Sequence, residues 1–210
     1  MKALIFGATG ATGREVVKNA LDRSYSVRAF VRNPAKFDTR HANLDLVVGD
    51  VTDPTLVERA VKGSDAVVSA LGSGNSLSSH PALSDGVQNI IRSMDCVGVH
   101  RFVYLSMLGV GGSGKQLGFV DRCIVLPILL RNVMRDHARE EGLIKRSKLD
   151  WVIVRPARLT NGPYTGRYRS GEDVREGALL ASISRADVAD FMVKQLTDDR
   201  YVHGTPAVLG

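Results

Sequence analysis

The sequence is poor in cysteine, has no long apolar run and has no clustered metal ligands, and each shortage removes a class of protein. Only two cysteines, Cys96 and Cys123, stand among its 210 residues. They are too few for a disulfide framework and lack metal-site spacing, so a reducing cytoplasm is the expected compartment. No run approaches the roughly 18 apolar residues that a membrane-spanning helix needs. Met1-Lys2 leads directly into a short strand-like run, without the apolar core and small-residue cleavage site of a secretion signal. The five histidines, His41, His80, His100, His137 and His203, are scattered with no paired ligand spacing, which argues against a metal centre. Also missing is a Tyr followed four residues later by Lys, the pair that lowers a phenol pKa for alcohol oxidation. None of Tyr25, Tyr104, Tyr164, Tyr168 and Tyr201 has that neighbour.

What remains is ordinary globular composition, 44% hydrophobic and 24% charged, in a length suited to one well-buried domain spanning 1–210. The net charge of +6 comes from Lys and Arg spread along the chain. Only Lys145-Arg146-Ser147-Lys148 clusters, at an expected helix end where cations complement the dipole. A modest field that attracts anionic small molecules fits this better than nucleic-acid binding.

The first residues organise the rest. Ala3-Leu4-Ile5-Phe6 reads as a strand, Gly7-Ala8-Thr9-Gly10-Ala11-Thr12-Gly13 as a tight turn, and Val16, Val17, Ala20 and Leu21 as one face of a helix before a second strand at 26–32. A β-turn-α-β unit of this kind is a dinucleotide site. Its glycines let the backbone reach a pyrophosphate, while the helix N-terminus presents free N–H groups to the anion. The second strand ends in Arg32-Asn33-Pro34, followed by Lys36, with no carboxylate for a ribose 2′-hydroxyl. That selects NADP(H), with Arg32 as the main 2′-phosphate partner and Lys36 as a helper.

Further strands are expected at 44–48, 65–72, 101–105 and 149–155, with helices at 54–61, 82–97 and 186–196, a long helix reaching about Ser147, and a short edge strand at 206–209. Near-continuous apolar strands alternating with helices predict an α/β Rossmann-type, doubly wound parallel sheet. Asp50 and Val51 after the third strand are placed for the adenine, and Leu71, Gly72 and Ser73 after the fourth for close backbone approach. Ser106 after the fifth is the polar candidate beside the nicotinamide, with simple strand-end capping as its alternative role. Gly109 to Gln116 matches a phosphate-binding loop until Gln116, which cannot supply the magnesium-binding hydroxyl. Loops at about 107–126 and 157–177 form the expected substrate walls. Arg158, Arg167 and Arg169 would attract an anionic, planar acceptor there, with Tyr164 or Tyr168 stacking on it.

Almost the whole chain resembles the biliverdin-IXβ reductase or flavin reductase family, atypical short-chain dehydrogenases with NmrA-like members. The resemblance rests on GATGATG, VRN, GDV, DAVVSALGSGNSLS, LSM, DHAR, PARLTNGPYTGRY and ISRADVADFM. It implies an NADPH-dependent, monomeric reductase that passes hydride to flavins or linear tetrapyrroles. Cofactor contacts would come from Gly7, Thr9, Gly10, Thr12, Gly13, Arg32, Asp50, Val51, Leu71, Gly72, Ser73 and Pro156, with Ser106 and Arg158 at the active site. The chain departs from that family at Arg158, where the family has His in a Pro-Pro-His run. An NmrA-like NADP(H) sensor without turnover and an NADPH:quinone reductase are the alternatives. A sugar-nucleotide epimerase loses most of its support without the Tyr-Lys pair.

Overall fold

In the computed structural model, which describes residues 1–72, 74, 78, 80–116, 130–175 and 181–210, strands and helices alternate along the chain. The first half contains β1 (Lys2–Phe6), α1 (Ala11–Asp22), β2 (Ser26–Val31), β3 (Leu44–Val48), α2 (Pro54–Val61), β4 (Ala66–Ser69), α3 (Pro81–Val97) and β5 (Arg101–Leu105). The second half contains α4 (Arg131–Lys145), β6 (Asp150–Pro156), β7 (Arg158–Thr160), β8 (Arg169–Gly171), β9 (Ser182–Ser184), α5 (Arg185–Lys194) and β10 (Ala207–Leu209). The main sheet has the order β3-β2-β1-β4-β5-β6-β10-β8, and β7 pairs with β9 in a small parallel ribbon. Every pair in the main sheet is parallel except β10 with β8.

The period of two along each strand sorts the core into two layers. Ala3, Ile5, Val27, Ala29, Val68, Val103 and Val152 face α1 and α5, where Val16, Val17, Val188 and Met192 cover them. Leu4, Phe6, Phe30, Val67, Phe102, Tyr104 and Ile153 face the opposite layer, where Val57, Val87, Ile90, Met94 and Ile144 of α2, α3 and α4 pack. Both faces of the central strands β1, β2, β4, β5 and β6 are thus buried, which is why these strands read as largely apolar runs, whereas β3 and β8 at the edges are partly exposed.

Helix starts follow their caps. Asp53 accepts hydrogen bonds from the amides of Thr55 and Leu56 at 2.9 and 3.1 Å to open α2. Ser184 accepts from the amide of Asp187 at 3.0 Å to open α5. The expected edge strand at 206–209 is a correction: β10 lies inside the sheet, parallel to β6 and antiparallel to β8, so β8 is the edge. Arg169-Ser170-Gly171 carries no apolar alternation that would reveal a strand. Pro156 is the last residue of β6, a strand position that needs no N–H. The apolar stretch 124–129 lies outside the described residues.

Candidate cofactor and active site

The order β2-β1-β4 places the crossover point of the sheet at β1, and a cleft opens at the carboxyl ends of these strands. Its volume is about 410 Å³. Gly7, Thr9, Gly10, Arg32, Asp50, Val51, Leu71 and Gly72 line it together with Phe30, Val31, Thr52, Ala70, Ala82 and Leu83. Eight residues expected from the sequence therefore converge. Ala82 and Leu83 had no signal of their own, since they are the first turn of a helix distant in sequence.

Two glycines build the turn. Gly7 has φ +76°, and a Cβ there would lie 2.4 Å from the carbonyl oxygen of Ala70. Gly13 is buried in the first turn of α1, where a Cβ would lie 2.0 Å from the carbonyl oxygen of Gly7. Gly13 and the buried Thr12 thus set the helix against the turn and do not line the cleft. The amide of Gly10 donates to the carbonyl of Gly7 at 2.9 Å, closing the turn. Unlike α2 and α5, α1 has no side-chain cap, and no acidic residue stands in its first turn, so its N–H groups and positive dipole end are left for an anion.

The opposite wall is held by its own hydrogen bonds. Asp50 accepts from the amide and the hydroxyl of Thr52 at 2.9 and 2.7 Å. These bonds, the amide's first, hold its carboxyl below the usual carboxylate range, helped by the charge of Arg32. The carbonyl of Val51 accepts from Asn89 at 3.1 Å, and the Val51 side chain fills the space over Gly86. Arg32 is exposed at the cleft with no hydrogen-bonded partner among the described residues. Beside it Arg14 is tied to Asp38 and to the carbonyl of Lys36, in a shallow depression lined by Thr9, Gly10, Arg14, Ala35, Lys36 and Asp38.

The remaining expected residues lie elsewhere. Ser73 lies outside the described residues. Pro156 is buried in β6, and Arg158 is exposed on β7 beside β9; neither lines the cleft. Ser106 is 4% exposed and donates to Glu141 at 2.8 Å, so its hydroxyl is committed to α4. Glu141 also accepts from Arg155 Nε at 2.9 Å and from Lys145 at 3.1 Å. Burial raises the Glu141 pKa, but Arg155, Ser106 and Lys145 outweigh it and hold the carboxyl below its usual range. The glycine-rich stretch reaches this pair at Gly111, where the 3₁₀-type turns of Val110–Gln116 are interrupted by a kink at Gly111 and Gly112, both with positive φ. A Cβ on Gly111 would lie 2.5 Å from Arg155, so the glycine there serves packing on the guanidinium.

The expected aromatic and basic wall after Arg158 is also redirected. Asp187 accepts from the amides of Thr165 and Gly166, both at 2.9 Å, and pins this loop to the start of α5. Tyr168 packs edge-on against Phe191 and donates to Asp190 at 2.6 Å. Lys194 donates to the same phenol at 3.1 Å, so a Tyr–Lys pair absent from the sequence spacing does form in space. It is not an activated phenol. Burial and the Asp190 hydrogen bond push Tyr168 up to about 12, outweighing Lys194. Among the described residues, no three His, Cys, Asp or Glu side chains gather as metal ligands.

The match to known proteins agrees with this geometry. A family model described as NAD(P)H-binding covers residues 7–199. The chain belongs to the NAD(P)H-binding family. It is 30% identical over 208 residues to an uncharacterized chloroplastic protein of Arabidopsis thaliana, covering 94% of this chain and 72% of that one. Across the first curated relatives the chain spans 63% to 89% of their length. The fold is shared with a short-chain dehydrogenase/reductase of Veillonella parvula in complex with NADP, at a TM-score of 0.81 and 16% identity over 99% of this chain and 93% of that one. It is shared also with an anaerobillin reductase of Escherichia coli O157:H7, at a TM-score of 0.80 and 20% identity over 99% and 96%. The open turn and the uncapped α1 suit the dinucleotide that this family binds. No described helix is long and apolar enough to cross a membrane.

Proposed function

We propose that the protein is an NADPH-dependent reductase that passes hydride to a conjugated acceptor such as a flavin or a linear tetrapyrrole, working as a cytoplasmic monomer. The observation that carries the reading is the cleft itself, with Arg32 at its rim and no carboxylate at the end of β2. Gly7, Thr9 and Gly10 would hold the pyrophosphate with the N–H groups of α1, Arg32 the 2′-phosphate, and Val51 the adenine face. Bound NADPH supplies the hydride. The absence of an activated phenol favours an acceptor that is electron-poor by itself over an alcohol or ketone. NADPH oxidation followed by absorbance against flavins, biliverdins and quinones tests this. A protein that binds NADPH tightly and reduces none of them is a sensor, the second reading, which the engagement of Ser106 by Glu141 favours.

Cofactor choice is tested separately. A charge-assisted contact from Arg32 is worth about 1.5–3 kcal/mol, so NADPH should bind roughly ten- to hundredfold more tightly than NADH. Arg32→Ala should remove most of that preference while leaving NADH affinity in place. Calorimetry showing equal affinities in the unaltered protein would place the 2′-phosphate away from Arg32.

A further inference from the structure

A second basic depression adjoins the cofactor cleft across the glycine turn. Thr9 and Gly10 line both, and Arg14, Ala35, Lys36 and Asp38 complete the second. Arg14 stands in the first turn of α1, and its amide donates to the carbonyl of Gly10 at 2.9 Å. Its guanidinium meets three acceptors. Nε donates to the carbonyl of Thr9 at 3.2 Å, one terminal nitrogen to the carbonyl of Lys36, and the other to the carboxylate of Asp38. The guanidinium carbon also lies over the buried Phe37 ring, 5.8 Å from its centroid. One side chain thus ties the glycine turn to the loop that follows β2.

That loop is itself ordered. Asn33 accepts from the amide of Ala35 at 3.0 Å, and the amide of Phe37 donates to the carbonyl of Pro34 at 3.0 Å, so Pro34–Lys36 closes as one short turn. Phe37 anchors the turn in the core layer of α1 and α5, while Lys36 and Asp38 on either side of it are exposed. Arg32 stands on the cleft side of the same glycine turn. Three cations, Arg14, Arg32 and Lys36, therefore border Thr9 and Gly10, and the one acid lining the depression is Asp38. The three bonds of Arg14 are not equally fixed. The carbonyls of Thr9 and Lys36 belong to the backbone of the two turns, whereas the Asp38 side chain is 86% exposed. Its carboxylate leaves Arg14 for water without uncovering a buried group, as a surface ion pair does.

We propose that Arg14 is a second specificity residue for the 2′-phosphate of NADP(H), and that Asp38 is its resident counter-ion, released when the dinucleotide binds. This rests on the NADPH reading above and adds the side of the site away from Arg32. Arg14 keeps its bonds to Thr9 and Lys36, which hold the guanidinium at the rim, and exchanges only the nitrogen that Asp38 occupies. A phosphate monoester carries about −1.5 to −2 charge at neutral pH with three acceptor oxygens. The planar fork of Arg matches it, so it displaces an exposed carboxylate of single charge. Arg32 closes the same group from the cleft side, and Lys36 adds its charge from the loop. NADH offers a ribose hydroxyl in place of the phosphate, which leaves Arg14 on Asp38. Asp38 thus weakens NADPH binding without touching NADH binding, and it sets the strength of the preference from outside the strand end where a ribose-binding acid would stand.

Calorimetry with NADPH, NADH and the fragments adenosine 2′,5′-bisphosphate and AMP tests the assignment. Asp38→Asn should raise the affinity for NADPH and for the bisphosphate about two- to fivefold, the scale of one exposed ion pair, and leave NADH and AMP unchanged. Arg14→Met should weaken NADPH and the bisphosphate about tenfold more than NADH and AMP. In the Arg14→Met background the gain from Asp38→Asn should shrink, since the carboxylate no longer has a guanidinium to occupy. If Arg14→Met fails to fold, Asp38→Asn at its exposed position decides alone. An Asp38→Asn form whose NADPH affinity is unchanged or lower, or an Arg14→Met form that loses NADPH and NADH equally, overturns the assignment and makes Arg14 a tie between turn and loop only. The NADPH reading then still stands where Arg32→Ala removes the preference. Equal affinities for NADPH and NADH in the unaltered protein overturn both.

Discussion

Glu141→Ala should lower the unfolding free energy by about 3–5 kcal/mol, because it strands Arg155 as an unpaired charge with a side chain only 5% exposed. For a chain of this size that is a drop in melting temperature of roughly 10 °C or more. The hydroxyl of Ser106 and the ammonium of Lys145 lose an acceptor at the same time. Replacing both charges, as Glu141→Met with Arg155→Met, should recover much of the loss, since the cost lies in the unpaired charge more than in the missing pair. The pH dependence has a definite sign. The folded pKa of Glu141 lies below the ordinary glutamate value of 4.5, so its contribution is complete above that value and is lost as pH falls through the folded pKa. The difference between unaltered protein and Glu141→Ala should therefore be full at neutral pH and narrow in acid. Urea unfolding at both pH values checks it; a loss under about 1 kcal/mol at neutral pH would mean that water reaches Arg155.

Gly13→Ala should weaken cofactor binding as well as lower stability. A methyl group there meets the Gly7 carbonyl oxygen at 2.0 Å, against an ordinary contact near 3.4 Å, so α1 and the turn must separate by about an ångström. Overpacking of this kind costs about 1–3 kcal/mol in stability. The site loses a comparable amount, since the N–H groups of α1 and the Gly7–Gly10 turn lose their common aim, and a displacement of about an ångström costs roughly 100-fold, or about 2.7 kcal/mol. Calorimetry with NADPH and thermal melting on the same sample separate the two. Gly63→Ala is a useful control, because a Cβ there meets nothing within 4 Å. It strains only a positive φ of 77° far from the turn.

The cleft was legible because its parts are local. Gly7 to Gly13 is one continuous turn, Arg32 and Asp50 each follow their own strand, and backbone geometry plus strand order brings strand ends to one edge. The caps at Asp53 and Ser184 are legible for the same reason, since a cap and its amides lie within three residues. The substrate side was legible only in part. Arg158, Tyr164, Arg167 and Arg169 are exposed as expected, and only packing shows that Asp187 ties the loop to α5 and that Asp190 holds the phenol of Tyr168. Glu140 and Glu141 sit in α4 among Arg135, Asp136, Arg139 and Lys145, and nothing in that run of charges marks which of them are buried.

The alternation of apolar runs, the glycine turn and the strand-end Arg32 followed from the order of residues alone, since each rests on contacts between near neighbours. That includes the fold class, the cofactor family and most of the cleft. Which charges would be buried was decided by the tertiary structure. Tyr104, His137 and Glu140, and Ser106, Glu141 and Arg155, meet only when α4 lies on β5 and β6. Their desolvation and pairing depend on partners 14 to 36 residues apart in the chain.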